Sequence, residues 1–357
     1  MEKSLKEEEV SMGNDKLTKM EKYWILYDVG NSAFTLLVST IIPIYFNALA
    51  GNAGISEVDY LAYWGYAASI STVIVAILGP TMGTVADTRN YKKPLFVFFM
   101  MIGVIGCAAL SVPTSWIVFL VVFVIAKVGY NASLIFYDSM LVDVTTPERM
   151  DKVSSHGYAW GYIGSCIPFI ISLVFVLMYE SIGITMNTAM MLAFLINAVW
   201  WVLMTLPLLK NYRQKNFAAP PEHPIKDSFI RLGHTLRDIK KEKKIFLYLL
   251  AFFFFIDGVY TIIEMATAYG SALGLDTTGL LLALLVTQIV AFPCALIFSR
   301  FSKRYETTKL IKVCIAAYTL IALFAIQLDK QWEFWFLAVM VGLFQGAIQA
   351  LARSYFA

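Results

Sequence analysis

Long apolar stretches recur along the chain, and they constrain its fold more than any other feature. Each is about 20 residues long, the length that an α-helix needs to cross the hydrocarbon core of a bilayer. Apolar residues make up 59% of the chain and charged residues only 15%. We therefore predict an all-α polytopic membrane protein. Its ten spans are predicted at about residues 24–48, 61–85, 94–112, 115–141, 157–179, 188–209, 245–268, 278–299, 309–328 and 334–356.

Basic residues are distributed unevenly over the connections between these spans. Of the 28 Lys and Arg, 25 lie in the N-terminal tail and in every second connection, whereas the intervening connections contain only Lys330. Connections rich in Lys and Arg stay on the cytoplasmic side of a membrane. We therefore predict a multi-pass protein of the cell (cytoplasmic) membrane with a cytoplasmic N-terminus.

The connection at 210–244 carries ten of these basic residues and separates two apolar blocks. A Lys or Arg at the centre of a membrane helix costs about 2.5–3.5 kcal/mol, so this segment must lie in water. We predict a cytoplasmic tail over 1–22, a six-helix bundle over 23–209, a cytoplasmic linker over 210–244 and a second bundle over 245–357. The later part of the linker, 225–244, is either a helix along the inner leaflet or a solvated segment.

The two apolar blocks are similar enough to predict an internal repeat. Pro80 and Pro293 stand 213 residues apart, and Asp138 and Arg353 stand 215 apart, each pair at corresponding places in its block. Parallel repeats of this kind are common in transporters. Four spans follow the linker where six precede it, so we expect about 10 of 12 helices. The second block is then a copy without its last two helices, from a truncated gene or as a piece of a longer chain.

A short loop motif lies between spans two and three, on the side predicted to face the cytoplasm. It consists of a glycine, an acidic residue four positions later and a basic cluster: Gly83, Asp87, Arg89, Lys92 and Lys93. The motif resembles the signature of the major facilitator superfamily. The stretches 27–34, 157–164 and 346–356 are similar to its "unknown major facilitator" branch, which includes fungal vacuolar amino-acid effluxers linked to autophagy.

This resemblance implies two pseudo-symmetric helical bundles that move a solute by alternating access. It implies a secondary active transporter for a small polar solute, with amino-acid efflux as the activity of the fungal members. It also implies that the loop motif packs near an eleventh helix, which this sequence lacks. The alternative from another class is a non-transporting membrane sensor or a degenerate, truncated transporter fragment.

Ionisable side chains within the spans are candidate functional groups, because they are expensive in lipid. Lys127 and Asp257 each lie 12 residues inside a span, which brings both to the midplane at about 1.5 Å per residue. We predict that they face each other across a cavity and hold a zwitterionic solute; the alternative is a static ion pair. Glu264 lies two turns beyond Asp257, and either carboxylate could carry a coupling proton, with sodium as the other candidate ion.

Asp28, Asp138 and Arg353 all lie within about two turns of the predicted cytoplasmic ends of their helices. We predict that they form a cytoplasmic gate; the alternative is interfacial charges that extend toward water. Neutral polar side chains complete the predicted cavity, with interhelical hydrogen bonding as their alternative role. They are Asn31, Asn131, Gln288, Gln345 and Gln349.

Other chemistries have little support in the sequence. The 4 Cys and 3 His show no metal-ligand spacing, and no phosphate loop or nucleophile elbow occurs. We expect no catalytic residues, metal or cofactor, and therefore no enzyme. The net charge of +3 gives no nucleic-acid signal. The expected partners are a small-molecule solute, a proton or sodium ion and the lipid bilayer, and we expect a monomer.

Overall fold

The computed structural model describes residues 16–112, 115–218, 243–302 and 304–356, with five single positions between 229 and 241. Ten helices in this part of the chain are long and apolar enough to cross a membrane, which confirms the ten predicted spans. They are α1 (Lys19–Asn52, interrupted at Thr40), α2 (Glu57–Ala86), α3 (Lys92–Ala109), α4 (Trp116–Ser139), α5 (Met150–Ile182), α6 (Met186–Asn211), α7 (Lys243–Ala272), α8 (Thr277–Phe301), α9 (Thr307–Ala325) and α10 (Gln331–Phe356).

The helix ends lie on two sides of the molecule. We call the side with the basic connections the basic face, and the other side the opposite face. The basic face holds the start of α1, the α2–α3 and α4–α5 connections and the end of α10. Several contacts join these parts, including the ion pair between Arg149 and Glu21 at 2.8 Å. Most residues of the segment 225–244, predicted as either a helix along the inner leaflet or a solvated segment, lie outside the described residues. The predicted bundle boundaries, and the cytoplasmic placement of the basic face, stay predictions.

Three connections on the opposite face use one kind of turn. Gly54, Gly183 and Gly274 have φ of 77°, 79° and 72°, a left-handed conformation that glycine adopts without steric cost. In each turn the next residue donates its N–H to a carbonyl five positions back, as Ile55 does to Ala50. The residue after that is Ser56, Thr185 or Asp276, whose side chain caps the following helix. The α1–α2 and α7–α8 turns thus correspond, as expected for a repeat.

Two apolar cores lie on either side of the molecule. The first is built mainly from α1–α6, with Ala268 of α7 and Leu281 of α8 at its edge, and its largest fully buried side chains include Trp24, Trp64 and Trp201. The second is built from α7–α10. Pro80 and Pro293 lie inside the second helix of each group, at corresponding places. The interface between the groups is where the charged residues meet.

Close packing of α5 on α1 positions the charged residues of α1. A Cβ atom on Gly161 would lie 2.6 Å from the Ser32 hydroxyl, and one on Gly164 would lie 2.5 Å from a Val29 methyl group. Such contacts are shorter than van der Waals separation, so only glycine allows the two helices this close. The backbone of α1 near Asp28 is therefore held directly against α5.

Candidate substrate pathway

A small cavity of about 70 Å³ lies between the two helix groups, and most of the residues that line it have a polar group in the side chain. Side chains from α1, α4, α5, α7, α8 and α10 contribute to it. The predicted cavity residues that line it are Asn31, Gln288, Gln345 and Gln349. Asn131 is half-buried on α4 and is not part of this wall.

A larger cavity of about 820 Å³ lies toward the basic face. The loop motif contributes Asp87 and Lys92 to its wall, and the segment after α6 contributes Asn216. Five residues line both cavities, so they form the partition between them: Asp138, Tyr158, Tyr260, Gln349 and Arg353.

Arg353 is the centre of this partition and crosses from α10 to the first helix group. Its Nη2 atom lies 3.0 Å from Asp28 Oδ2, and its Nη1 atom lies 3.5 Å from Asp138 Oδ1. It also donates from Nε to the Ser154 hydroxyl at 2.8 Å and from Nη2 to the Ser154 carbonyl at 2.9 Å. The structure therefore brings together all three residues that the sequence predicted as a gate. Ser154 is a further partner that the sequence analysis missed.

Aromatic rings and a glycine complete the surroundings of the guanidinium. The guanidinium carbon of Arg353 lies 4.0 Å from the ring centroid of Tyr158 and 4.8 Å from that of Trp24, both within cation–π range. A Cβ atom on Gly157 would collide with the Asp28 carboxylate and lie 2.9 Å from Arg353 Nη2. Glycine at 157 is thus required for the ion pair to form against α5.

A second set of contacts closes the molecule on the opposite face. Lys127 of α4 forms an ion pair with Glu264 of α7. Asn47 donates to the Ser271 hydroxyl at 2.8 Å, and Trp64 donates to the Glu264 carbonyl at 3.3 Å. These bonds join α1, α2 and α4 to α7 between the central cavity and the opposite face.

The predicted pairing of Lys127 with Asp257 is wrong. The structure pairs Lys127 with Glu264, and the Asp257 side chain is exposed on α7. Side chains in a helix lean toward its N-terminus. Helix α4 begins at the opposite face and α7 at the basic face, so the Lys127 ammonium and the Asp257 carboxylate lean away from each other. Glu264 lies two turns nearer the opposite face and meets the lysine.

The loop motif contacts the end of α4 and the segment after α6. Lys92 lies 3.2 Å from the buried carboxylate of Asp143, which also accepts hydrogen bonds from the Tyr212 hydroxyl at 2.6 Å and the Asn216 amide at 2.8 Å. Burial and the hydrogen bond to Asp143 raise the pKa of Tyr212 well above its usual value.

Other motif residues extend this contact. Ala218 donates its N–H to the Asp87 carbonyl at 2.7 Å, and Arg89 lies over the Phe217 ring at 5.3 Å. Lys93 is half-buried and Gly83 has open space beside it. The motif therefore fastens the first residues of the predicted linker to the first helix group.

Two groups of membrane helices with a polar cavity at their interface define a membrane transporter of the major facilitator type. The fold agrees with this class: the solved D-xylose–proton symporter superposes with a TM-score of 0.57, at 12% identity, over 95% of this chain and 88% of that one. At this identity the likeness concerns the fold alone.

The family follows from the sequence comparisons. Residues 18–357 match the family described as vacuole effluxer Atg22 like, and the chain belongs to it. An uncharacterized MFS-type transporter, YxiO of Bacillus subtilis (strain 168), is 42% identical over 96% of this chain and 81% of its own length. Autophagy-related protein 22 of Coccidioides immitis (strain RS) is 22% identical over 84% of this chain. The chain spans 62% of the length of that fungal relative.

Proposed function

We propose that this protein is a secondary active transporter that moves a small polar solute across the cytoplasmic membrane by alternating access. The observation that carries the proposal is the partition around Arg353, which separates a central polar cavity from a larger one toward the basic face. Contacts such as Lys127–Glu264 close the other side. In this arrangement the central cavity is closed on both sides, and the larger cavity lies on the side that the distribution of Lys and Arg indicates to be cytoplasmic.

The solute that we propose is an amino acid. The chemistry of the partition supports an amino acid, since carboxylates and a guanidinium lie side by side at Asp28, Asp138 and Arg353. These groups match the ammonium and carboxylate of such a solute.

The coupling ion that we propose is a proton, with Glu264 as its carrier. A proton that reaches Glu264 neutralises its carboxylate and weakens the bond to Lys127. Because that bond joins α4 to α7 on the opposite face, its loss would favour opening there. The structurally similar sugar symporter is proton-coupled by name. Sodium coupling would instead give transport that depends on a sodium gradient.

The test is flux in proteoliposomes that contain the whole chain. We expect uptake or release of radiolabelled amino acids that follows an imposed pH gradient. Arg353→Gln should lower the initial rate at least tenfold, because it removes the bonds that join α10 to α1 and α4. The matched control is Arg300→Gln, since Arg300 is an exposed arginine at the end of α8.

Two results would contradict the proposal. One is the absence of gradient-dependent flux for every amino acid tested with a folded, reconstituted protein. The other is an unchanged rate in Arg353→Gln. Binding without flux would instead favour the non-transporting sensor.

A further inference from the structure

The two aspartates at Arg353 are not equivalent. The bond to Asp28 is 3.0 Å long, and the two side chains are only 8% and 5% exposed. The contact with Asp138 is 3.5 Å long, at the limit of a hydrogen bond, and the Asp138 side chain is 45% exposed. One ion pair is therefore tight and buried, and the other is loose and open to the cavities.

Asp138 and one edge of the guanidinium are each incompletely bonded. Nε and Nη2 of Arg353 make bonds of 2.8–3.0 Å to Ser154 and Asp28, whereas within the described part of the chain Nη1 has only the long contact with Asp138. Asp138 in turn has no other hydrogen-bond partner among the described residues. Charged groups in a low-dielectric region gain most from short, well-aligned bonds, and this pair has none.

We infer that the solute binds at this contact by exchanging partners with it. The ammonium of the solute donates to the Asp138 carboxylate, and the carboxylate of the solute accepts from Nη1 of Arg353. Two short charge-assisted bonds then replace one long contact, and the total charge remains balanced. An α-amino acid fits because its two charges are attached to one carbon. The inference rests on the proposed function and places the recognition of the solute within the gate.

The exchange has a mechanical consequence. The Asp138 contact joins α10 to α4, whereas the Asp28 bond joins α10 to α1. Binding therefore replaces the direct contact between α4 and α10 with a bridge through the solute, and it leaves the attachment of α10 to α1 in place.

Two amides extend the site toward the central cavity. Gln288 and Gln345 line that cavity and are only 8% and 4% exposed. Their amides are donors and acceptors that a solute in the cavity can use. The side chain of the solute is thus expected to point toward α8 and α10 and to carry a neutral hydrogen-bonding group in the best substrates.

Binding to the whole chain in detergent micelles tests this inference. The twenty standard amino acids are titrated while tryptophan fluorescence is recorded, since Trp24 lies 4.8 Å from Arg353. The amino acid that binds most tightly is then compared with its amino alcohol, which lacks the carboxylate, and its N-acetyl derivative, which lacks the ammonium. We expect each analogue to bind at least tenfold more weakly.

Variants test whether the ammonium of the solute binds the Asp138 carboxylate. Asp138→Asn should weaken the amino acid at least tenfold and leave the N-acetyl derivative unchanged, so that the two bind alike. Glu180→Gln removes an exposed acid at the far end of α5 and should change neither affinity. If Asp138→Asn does not fold, the comparison of analogues on the unaltered chain still decides the question.

Three results overturn the inference: no amino acid binds, the N-acetyl derivative binds as tightly as the free amino acid, or Asp138→Asn keeps the preference for the free ammonium. Discriminating binding without flux in proteoliposomes contradicts the transport proposal alone. Flux of a solute that lacks either charge contradicts this inference alone.

Discussion

Helices α1 and α7 begin the two helix groups, but the rest of the described chain surrounds them very differently. In an apolar window of 18 residues, 72% of α1 is buried, compared with 6% of α7. Helix α1 packs against α5 and α6, and Trp201 of α6 fills the centre of the first group. The centre of the second group contains a hollow of about 210 Å³. Two apolar helices at corresponding places are thus tightly packed in one group and loosely packed in the other.

This difference indicates where each helix gains its stability. Helix α1 depends on interior packing within its own group. Helix α7 contributes only a few buried residues, such as Val259 and Ile263 of the second core. Polar contacts near the opposite face, chiefly Lys127–Glu264 and Asn47–Ser271, join it to the other group. Similar substitutions in the two helix groups should therefore lower the free energy of unfolding by different amounts.

The largest expected effect is in the centre of the first group. Trp201 is fully buried against α1 and α3, and Trp201→Ala should lower the free energy of unfolding by about 3–5 kcal/mol because a large cavity remains. Phe334→Ala, beside the existing hollow of the second group, should cost clearly less. Unfolding in mixed micelles measures both. Equal losses would contradict the proposed difference in packing.

The next effect concerns the attachment of α7. Lys127→Met leaves Glu264 without its partner, and we expect a loss of about 2 kcal/mol, less than for a fully buried pair because the Glu264 side chain is 24% exposed. Substituting both residues, with Glu264→Leu, should recover most of this loss. Thermal unfolding and labelling of a cysteine placed at the opposite face provide the measurements. A double variant as unstable as the single one would show that the pair is not what joins the helices.

Alanine substitutions at two glycines allow a direct comparison of the α5–α1 contact with the surface of α7. Gly161→Ala would place a Cβ atom 2.6 Å from the Ser32 hydroxyl, and overpacking of this kind costs about 1–3 kcal/mol. Gly258→Ala on α7 meets nothing within 4 Å and should be neutral or stabilising by up to about 1 kcal/mol, because alanine favours helices. Chemical denaturation of both variants checks the sign. Destabilisation by Gly258→Ala would mean that this surface of α7 is covered.

The smallest expected effect is at Asn47. Asn47→Ala removes the hydrogen bond to Ser271 and should cost about 1 kcal/mol. Combined with Lys127→Met, it should cost more than the sum of the two single changes if both contacts jointly hold α7. A double-mutant cycle measures this coupling. Simple additivity would show that the contacts act independently.

The spans could be predicted because hydropathy and length alone define a membrane helix. Their ends could not: span five was predicted from residue 157, but α5 begins at Met150. Its first turns are polar, so hydropathy does not detect them, yet they contain Ser154, which binds Arg353.

The site could be predicted in part. The proximity of Asp28, Asp138 and Arg353 could be predicted because depth along a helix follows from residue counting. Lys127 was assigned the wrong partner because counting ignores the direction in which side chains lean. The Tyr212–Asp143 hydrogen bond was missed because an irregular segment after a helix has no periodicity to interpret. The isolated acid Asp143, at the end of an apolar span, was the available signal.

The turns at Gly54, Gly183 and Gly274 have a consequence for motion. Each turn reverses the chain within a few residues and is fixed by a backbone hydrogen bond and a capping side chain. The two helices that it joins are therefore expected to move together as a rigid unit. These three turns are expected to keep their shape when the two helix groups move relative to each other, so that the change in angle between helices occurs elsewhere.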